Sequence, residues 1–375
     1  MKKIFIAVML FGFLVPCVYG KNFSFKITDD VKFDDNIYLT KSDEVSSIIN
    51  SIHGLARYLT KIPSTSFNFD TSVDVGYNSY VEDPSRNNNM FAGLGLRLNN
   101  KFFDLNEKFT YTTDPANSTL DERTERINNN VYLGFTTSKE KKLGFGIYGR
   151  DVLDHYLKKY YEGLNRNKII GGAKLFFNFT PTKSLYAGYQ YTNIQYDKND
   201  FNNSTGNSYF LGVEGNISAK LTGVAQVSYD DRKYEKKSEA TPETGHVLGY
   251  LANITYAPYR STIFSLEGKR EMEETFWGNN RYYISSTVYL KFQQIVFQKW
   301  TFGCTTGYEN MDFPVAYADG THRTDEYFTV IPSMEYKFNN YFSAGLWYQF
   351  RSKISTYESA EYINNRTGLK LSLMF

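Results

Sequence analysis

Histidine is the side chain best suited to acid–base chemistry near neutral pH, and the 375-residue chain has 4 histidines. They are His53, His155, His246 and His322. None has a second metal ligand at helical or hairpin spacing, and the His-Glu-x-x-His pattern of zinc enzymes does not occur. His322 follows Asp319-Gly320 in a polar run, and this dipeptide predicts a turn. The sequence therefore predicts no catalytic site, no metal site and no cofactor.

Other combinations could supply nucleophilic or acid–base chemistry, and the sequence assembles none of them. A lipase would need a Ser–His pair on neighbouring strands, and a protease would need paired carboxylates beside a histidine. Asp151, Asp154 and His155 are close in sequence. In an alternating strand, however, Asp154 lies on the opposite face from the other two. An enzyme is therefore the functional class with the least support.

The C-terminal segment 363–375 has two different faces. Thr367, Leu369, Leu371, Leu373 and Phe375 alternate with Arg366, Gly368, Lys370, Ser372 and Met374. A period of two predicts a β-strand. At the end of a soluble domain, an exposed Leu-x-Leu-x-Phe edge would invite aggregation. The same strand is favourable where it closes a barrel and turns its apolar face to lipid.

The N-terminus has the three regions of a secretory signal peptide. Lys2 and Lys3 precede an apolar run over 4–15, and a short segment ends at Gly20. We expect cleavage near Gly20, so that residues 1–20 are the signal peptide and residues 21–375 form one mature barrel domain. Cys17 suggests a lipoprotein as an alternative, but Pro16 stands where a small residue would be expected. No later stretch reaches the roughly 18 apolar residues of a spanning helix.

Composition favours a membrane barrel over a soluble sheet protein. Aromatic residues make up 17% of the chain, with 32 Tyr and 30 Phe, although the mean hydropathy is −0.46. Barrels place aromatic residues in girdles at the membrane interfaces and polar residues in the lumen. The chain has 42 Lys+Arg and 40 Asp+Glu, so charge gives no support for nucleic-acid binding. A soluble β-sandwich or propeller is the alternative that the alternation alone leaves open.

Alternating segments recur along the whole mature chain. They lie near 22–34, 45–60, 67–81, 90–98, 103–113, 127–137, 143–153, 169–179, 185–195, 209–218, 221–229, 247–256, 263–270, 282–292, 297–308, 327–338, 341–351 and 363–375. Tight connections alternate with longer polar ones, among them Asp230–Glu243. The pattern predicts an all-β fold, a transmembrane antiparallel up-and-down β-barrel of about 18 strands, with about 16 as the alternative. Long loops are expected outside the cell and short turns in the periplasm.

The face opposite the apolar residues carries charges of both signs. We expect these pore-lining residues: Arg97, Arg150, Lys174, Lys291, Arg366, Asp70, Asp74 and Glu214. Such charges either line a polar passage or pair across strands and hold the shape of the barrel. Glycine also alternates with tyrosine, as in Gly144, Gly146 and Tyr148. That pattern is consistent with tight packing of the interior or with an aromatic track for sugars.

Two resemblances follow from these residues. Gly368, Leu371, Leu373 and Phe375 resemble the C-terminal assembly signal of bacterial outer-membrane barrels. The run 33–39, Phe-Asp-Asp-Asn-Ile-Tyr-Leu, followed by Ser46-Ser47-Ile48-Ile49, resembles the N-terminal pattern of the β-barrel porin type 2 group. That resemblance implies an outer-membrane location and a porin-like barrel, and relatives are often associated with polysaccharide export. It offers no catalytic residues to transfer.

These observations lead to three functional hypotheses. The first is a porin-like channel of the bacterial outer membrane that passes small polar solutes or an exported polysaccharide. The second is a plugged structural or adhesive barrel that acts through its extracellular loops, and the third is an outer-membrane enzyme. The expected partners are outer-membrane lipid and lipopolysaccharide, the barrel assembly machinery and the transported solute or polysaccharide, without nucleic acid.

Overall fold

The computed structural model describes residues 22–375 except 64, 115–123, 138–139, 199, 237–242, 276–279 and 317–319. The expected signal peptide, with its cleavage near Gly20, lies outside these residues and stays a prediction. In the described part of the chain, no helix is both long and apolar enough to cross a membrane.

The described residues form 18 β-strands in one sheet. The strands are β1 Phe23–Asp34, β2 Ser47–Lys61, β3 Asn68–Tyr80, β4 Asn89–Asn99, β5 Phe103–Asp114, β6 Thr124–Thr136, β7 Leu143–Tyr156, β8 Arg166–Thr180, β9 Lys183–Tyr196, β10 Ser204–Asn216, β11 Leu221–Tyr234, β12 Thr244–Tyr259, β13 Thr262–Glu274, β14 Tyr282–Val296, β15 Trp300–Asp312, β16 Thr324–Lys337, β17 Phe342–Ser355 and β18 Tyr362–Met374. Short helical turns occupy Pro84–Asn87, Lys159–Leu164, Asp200–Asn202 and Glu358–Ala360.

The sheet closes on itself. Each strand pairs antiparallel with its neighbours in sequence, and β1 pairs with β18 in register from Lys26↔Met374 to Asp34↔Arg366. Closure satisfies backbone groups between strands and removes the free edges that would otherwise be exposed in hydrocarbon. The predicted all-β antiparallel barrel of 18 strands is therefore confirmed.

Side chains alternate between an apolar outer face and a polar inner face. Large apolar side chains such as Ile147, Leu175 and Leu211 are exposed by 55%, 70% and 51% on the outer face. Residues paired directly across strands share a face, so the register assigns the inner face around the barrel. Within the described residues, buried apolar side chains form two small clusters instead of one large core. This distribution is typical of a barrel whose outside meets lipid.

Short and long connections lie at opposite ends of the barrel. Two-residue turns follow β8 and β12, at 181–182 and 260–261, whereas loops of the other kind span 35–46 and 313–323. We call these the turn end and the loop end. Several strands reach further toward the loop end than the alternation predicts. For example, β11 continues through Asp230–Tyr234, which the sequence assigns to a loop, because the polar residues there still pair with β10 and β12.

Candidate channel lumen

The eight expected pore-lining residues all lie on the inner face of the wall. The cross-strand pairs Arg97↔Asp70, Arg366↔Asp34 and Glu214↔Ser184 show how the register places them there. The remaining members are Asp74, Arg150, Lys174 and Lys291. Their part in a conducting pore remains a proposal.

Most of these charges are paired with a neighbouring strand. Arg97 binds Asp104 at 2.8 Å and Lys291 binds Glu267 at 2.7 Å. Further contacts between neighbouring strands are Arg57–Asp70, His53–Asp74, Arg366–Asp34 and the Arg150–Asn130 hydrogen bond. Pairing across strands offsets the charges locally and fixes the side chains against the wall. The inner surface is therefore polar without a strong excess of either sign along these strands.

Aromatic rings lie flat on glycines of the inner face. A Cβ at Gly212 would be 2.6 Å from the Tyr186 ring, and one at Gly172 would be 2.3 Å from the Tyr148 ring. Gly368 is covered in the same way by Trp347. Only a residue without a side chain permits this approach, and the ring then shields the glycine backbone. The alternation of glycine and tyrosine thus reflects tight packing of the interior.

Lys174 lies among these rings. Its Nζ is 4.7 Å from the centroid of the Tyr186 ring and 5.6 Å from that of Phe210. Tyr186, Phe176 and Phe210 are only 2%, 8% and 6% exposed. Rings this buried present little surface to a passing sugar, which argues against an aromatic track at these three residues. The arrangement instead holds one cation over an aromatic floor.

A cavity of about 730 Å³ runs along the inner face from β4 to β13. Its charged lining includes Arg97, Lys174, Asp104, Glu214 and Asp230. Polar and aromatic groups such as Tyr132, Tyr148 and Gln190 complete the lining. A cavity lined in this way has room for water and small polar solutes, and its mixed charge imposes little selection by sign.

Near the loop end, β12 and β13 separate from each other. Pairing between β12 and β13 stops at Tyr250↔Arg270. Beyond that point β12 still pairs with β11 as far as Lys233↔Thr244, and β13 still pairs with β14 as far as Glu274↔Tyr282. We call Glu271–Glu274 of β13 and Tyr282–Ile284 of β14 the folded-in segment, because their contacts lie inside the barrel.

Glu274 anchors the folded-in segment to strands that are not its neighbours. Its carboxylate accepts a hydrogen bond from Arg232 Nη1 of β11 at 2.6 Å and another from Arg166 Nη1 of β8 at 2.7 Å. Lys168 Nζ is 3.7 Å away, and Arg166 also donates to Asp154. The Glu274 side chain is 5% exposed. Removing one partner of such a buried, charge-assisted set typically costs about 3–5 kcal/mol, since it strands the remaining charges.

An apolar contact reinforces this anchor. Met272 and Tyr282 pack with Tyr234 and Val247 on the inner wall, and all four are at most 6% exposed. The rings of Tyr234 and Tyr282 stack with an interplanar angle of 11°. A Cβ at Gly245 would be 2.7 Å from Met272 Cε, so this glycine leaves the space that the segment fills. The alternation of β13 would turn Met272 and Glu274 outward, and their inward contacts place the segment inside the wall.

Two polar contacts surround the start of β14. The Arg281 guanidinium lies 3.8 Å from the ring centroid of Phe201 and 4.9 Å from that of Tyr234. Within the described part of the chain its three nitrogens have no hydrogen-bond acceptor, and burial lowers the pKa of this side chain. Asn280 exchanges two hydrogen bonds with the backbone of Val315 in the loop before β16.

Comparison with known proteins agrees with this architecture. The model of the family described as "Putative beta-barrel porin 2" matches residues 162–375, more than half of the chain. The chain belongs to this family. It is a porin-like barrel of the outer membrane, and the family's description is that of porins, not of enzymes. Comparison with curated proteins yields no match.

Three solved structures share the fold of this porin. OccAB4 of Acinetobacter baumannii has a TM-score of 0.51 at 12% identity, covering 95% of this chain and 99% of that one. The outer membrane protein opdK of Pseudomonas aeruginosa has a TM-score of 0.51 at 8% identity, covering 95% and 100%. OpdL of Pseudomonas aeruginosa has a TM-score of 0.50 at 12% identity, covering 94% and 99%. At identities this low, the similarity to these structures supports the fold alone.

Sequence reasoning missed the residues that hold the folded-in segment. Arg166 and Arg232 lie outside the predicted strands, and the predicted strand at 263–270 ends before Glu274. One feature of the sequence could have revealed the folded-in segment. On β13 the outward positions change from Phe264 and Leu266 to Arg270 and Glu274, and charges on a lipid face are costly. That change marks the place where β13 leaves the wall.

Proposed function

We propose that this porin is a narrow diffusion channel for small polar solutes, with weak selection by charge. The proposal is supported chiefly by the polar cavity of about 730 Å³ along β4–β13, whose charged groups include both signs. The folded-in segment occupies part of the interior and favours small solutes over a polymer chain. The channel would supply an aqueous route through the membrane and would hold no solute tightly.

Conductance in planar bilayers tests this function directly. We expect the purified protein to give discrete openings, with a reversal potential close to zero in a salt gradient because the lining charges nearly balance. Swelling of proteoliposomes in neutral sugars of increasing size measures the upper limit. A current that a long polysaccharide blocks reversibly would favour the polymer as substrate.

Charge variants link the current to the cavity. Lys174→Gln should shift the permeability ratio toward cations and Glu214→Gln toward anions, each by about two-fold, because each removes one lumenal charge. Glu107→Gln is the matched control, since Glu107 lies on the outer face of β5 beside Leu105 and Phe109. Equal selectivity in all three variants would place the current outside this cavity.

A plugged scaffold is the second candidate, and the Glu274 anchor is the observation that favours it. Such a barrel would stay silent in the bilayer and would act through its loops. If the folded protein gives no current at any voltage or salt concentration, the scaffold replaces the channel as the proposed function.

The C-terminal residues support a second proposal, about assembly. Leu371 and Leu373 lie on the outer face of β18, and Phe375 follows directly after the strand. Gly368 lies beneath the Trp347 ring on the inner face. Phe375 exchanges backbone hydrogen bonds with Phe25 and thereby completes the β1–β18 seam. We propose that the barrel assembly machinery recognises these residues before closure. Deleting Phe375 should lower the amount of folded barrel in the membrane, whereas Phe297→Ala in an exposed turn should not.

A further inference from the structure

The folded-in segment leaves one strand of the wall without its neighbour. Residues 244–249 of β12 pair with β11, and their pairing with β13 has ended at Tyr250↔Arg270. Unpaired strand edges are costly unless water or another strand satisfies them. The only described strand adjacent to this edge in the sheet order is β13. An unused pairing site for β13 thus remains in the wall.

The sequence of β13 fits that unused site. Continuing the register beyond Tyr250↔Arg270 places Met272 opposite Leu248 and Glu274 opposite His246. Leu248 is 72% exposed, and Met272 would cover it on the outer face. His246 and Glu274 would form a pair of a base and a carboxylate. The same residues that hold the segment inside can therefore also pair with β12.

Each of the two positions has favourable contacts of its own. The inward position has the Glu274 ion pairs and the Tyr234–Tyr282 stack. It also buries the Arg281 guanidinium without an acceptor in the described part of the chain, and among the described strands none pairs with the β13 side of residues 244–249. The outward position would gain backbone hydrogen bonds and return Arg281 to water. Two competing partner sets of this kind are what a segment needs in order to populate two discrete arrangements.

We propose that the folded-in segment is a gate that moves between the inner wall, where Glu274 binds Arg166 and Arg232, and the edge of β12, where Met272 and Glu274 pair with Leu248 and His246. The proposal rests on the channel function given above and adds its regulation. In the inward position the segment narrows the lumen. In the outward position it completes the wall and widens the passage.

Two cysteine pairs that share one position distinguish the states. In a Cys304→Ser background, V247C/M272C joins the segment to the inner wall, where Val247 and Met272 are in one cluster. L248C/M272C joins it to the neighbouring position on β12. Each pair is oxidised, or linked by a short bifunctional thiol reagent, in the membrane-inserted protein. Mass spectrometry measures the extent of cross-linking, and gel mobility verifies the folded barrel.

Both pairs should cross-link, and their conductances should differ in opposite directions. We expect the V247C/M272C link to lower the single-channel conductance and the L248C/M272C link to raise it by about two-fold or more. Reductant should return both to the starting value when disulfides are used. Failure of L248C/M272C to cross-link in a folded barrel, or equal conductance of the two linked forms, overturns the gate.

A single substitution tests the anchor without a cross-link. Glu274→Gln removes the charge that binds Arg166 and Arg232 and should raise the time spent at high conductance several-fold. Glu107→Gln is the control, because Glu107 lies on the outer face of β5, away from the folded-in segment and from the lumen. Equal open times in both variants count against Glu274 as the anchor. If every form including the outward-linked one is silent while cross-linking proceeds, the channel function fails and the movement stands.

Discussion

At the scale of single residues, glycine explains how the lumen holds so many aromatic rings. The sequence favours aromatic girdles on the lipid face, and Tyr189, Tyr256 and Tyr308 are exposed there. A second group of rings lies on the inner face, each above a glycine of the same or a neighbouring strand. Pairs of this kind are Phe91 on Gly76, Tyr186 on Gly212, Phe210 on Gly188, Tyr289 on Gly307 and Trp347 on Gly368. The aromatic residues of this chain are thus distributed over both faces of the barrel wall.

One substitution tests the role of these glycines. A Cβ at Gly212 would lie 2.6 Å from the Tyr186 ring and 2.8 Å from the carbonyl oxygen of Ala225, and the backbone atom cannot move aside easily. Gly212→Ala should therefore destabilise the barrel by about 1–3 kcal/mol through overpacking. Urea unfolding in detergent micelles measures the loss. Gly171→Ala is the control, since a Cβ at Gly171 meets nothing within 4 Å; equal loss in both variants contradicts the packing argument.

At the scale of elements, the seam between the first and last strands is held by a buried polar network. Asp34 accepts hydrogen bonds from Asn364 Nδ2 at 2.6 Å and from the Asn36 backbone at 3.1 Å. Arg366 Nε lies 2.8 Å from the other Asp34 oxygen. Asp34 and Asn364 are 1% and 0% exposed. The carboxylate joins β1 to β18 where the loop that follows β1 begins, so it stabilises the last closure of the barrel.

Neutralising Asp34 should weaken that closure. An asparagine at this position keeps the shape but loses the charge that Arg366 and Asn364 bind, so Asp34→Asn should cost about 2 kcal/mol. The midpoint of urea unfolding reports the change. Asp43→Asn, in the exposed part of the same loop, should leave the midpoint unchanged. An unchanged midpoint in Asp34→Asn would mean that backbone pairing alone holds the seam.

Two loops at the same end are tied by an exposed ion pair with a defined pH range. Lys41 Nζ lies 2.8 Å from Glu361. The hydrogen bond between them lowers the pKa of Glu361 from its ordinary 4.5 and raises that of Lys41 from 10.5. The lowered pKa means that the carboxylate's contribution is present above about pH 4.5 and lost as the pH falls through the folded-state value. The raised pKa means that the ammonium's contribution is lost only as the pH rises through its own folded-state value.

Amide hydrogen exchange in residues 358–361 measures the effect of the Lys41–Glu361 ion pair. Protection factors, corrected for intrinsic exchange, should be higher in the native protein than in Lys41→Met near neutral pH. The difference should shrink and then disappear as the pH falls below 4.5 and Glu361, whose pKa is lowered by its hydrogen bond to Lys41, becomes protonated. A difference that persists at the acidic end would assign the protection to the backbone turn at Glu358–Ala360 instead.

Among the elements, the strands of the wall could be predicted from the sequence, whereas the folded-in segment could not. Strand number and the two faces of each strand followed from alternation, since every wall strand meets lipid on one side and water on the other. The folded-in segment did not follow, because its position depends on Glu274 meeting Arg166 and Arg232, and β8 and β11 are far from it in sequence. Alternation describes how a strand relates to the wall. It carries no information on contacts made across the lumen.

At the scale of the whole molecule, the even number of strands places both ends of the barrel chain on one side. Phe23 of β1 and Met374 of β18 both lie at the turn end, together with the short connections. A chain that has been exported inserts its hairpins from the periplasm, and long loops cross to the outside. The turn end is therefore expected to face the periplasm, with loops such as 35–46 and 313–323 outside the cell.

Labelling of single cysteines decides this orientation. In a Cys304→Ser background, Ser42→Cys lies in the exposed loop after β1 and Asn340→Cys in an exposed turn between β16 and β17. A thiol reagent too large for the lumen should label position 42 on intact cells and position 340 only after the outer membrane has been permeabilised. Both positions are exposed, so equal chemical reactivity in detergent serves as the control. Labelling of position 340 on intact cells would reverse the barrel and would put the folded-in segment at its periplasmic mouth.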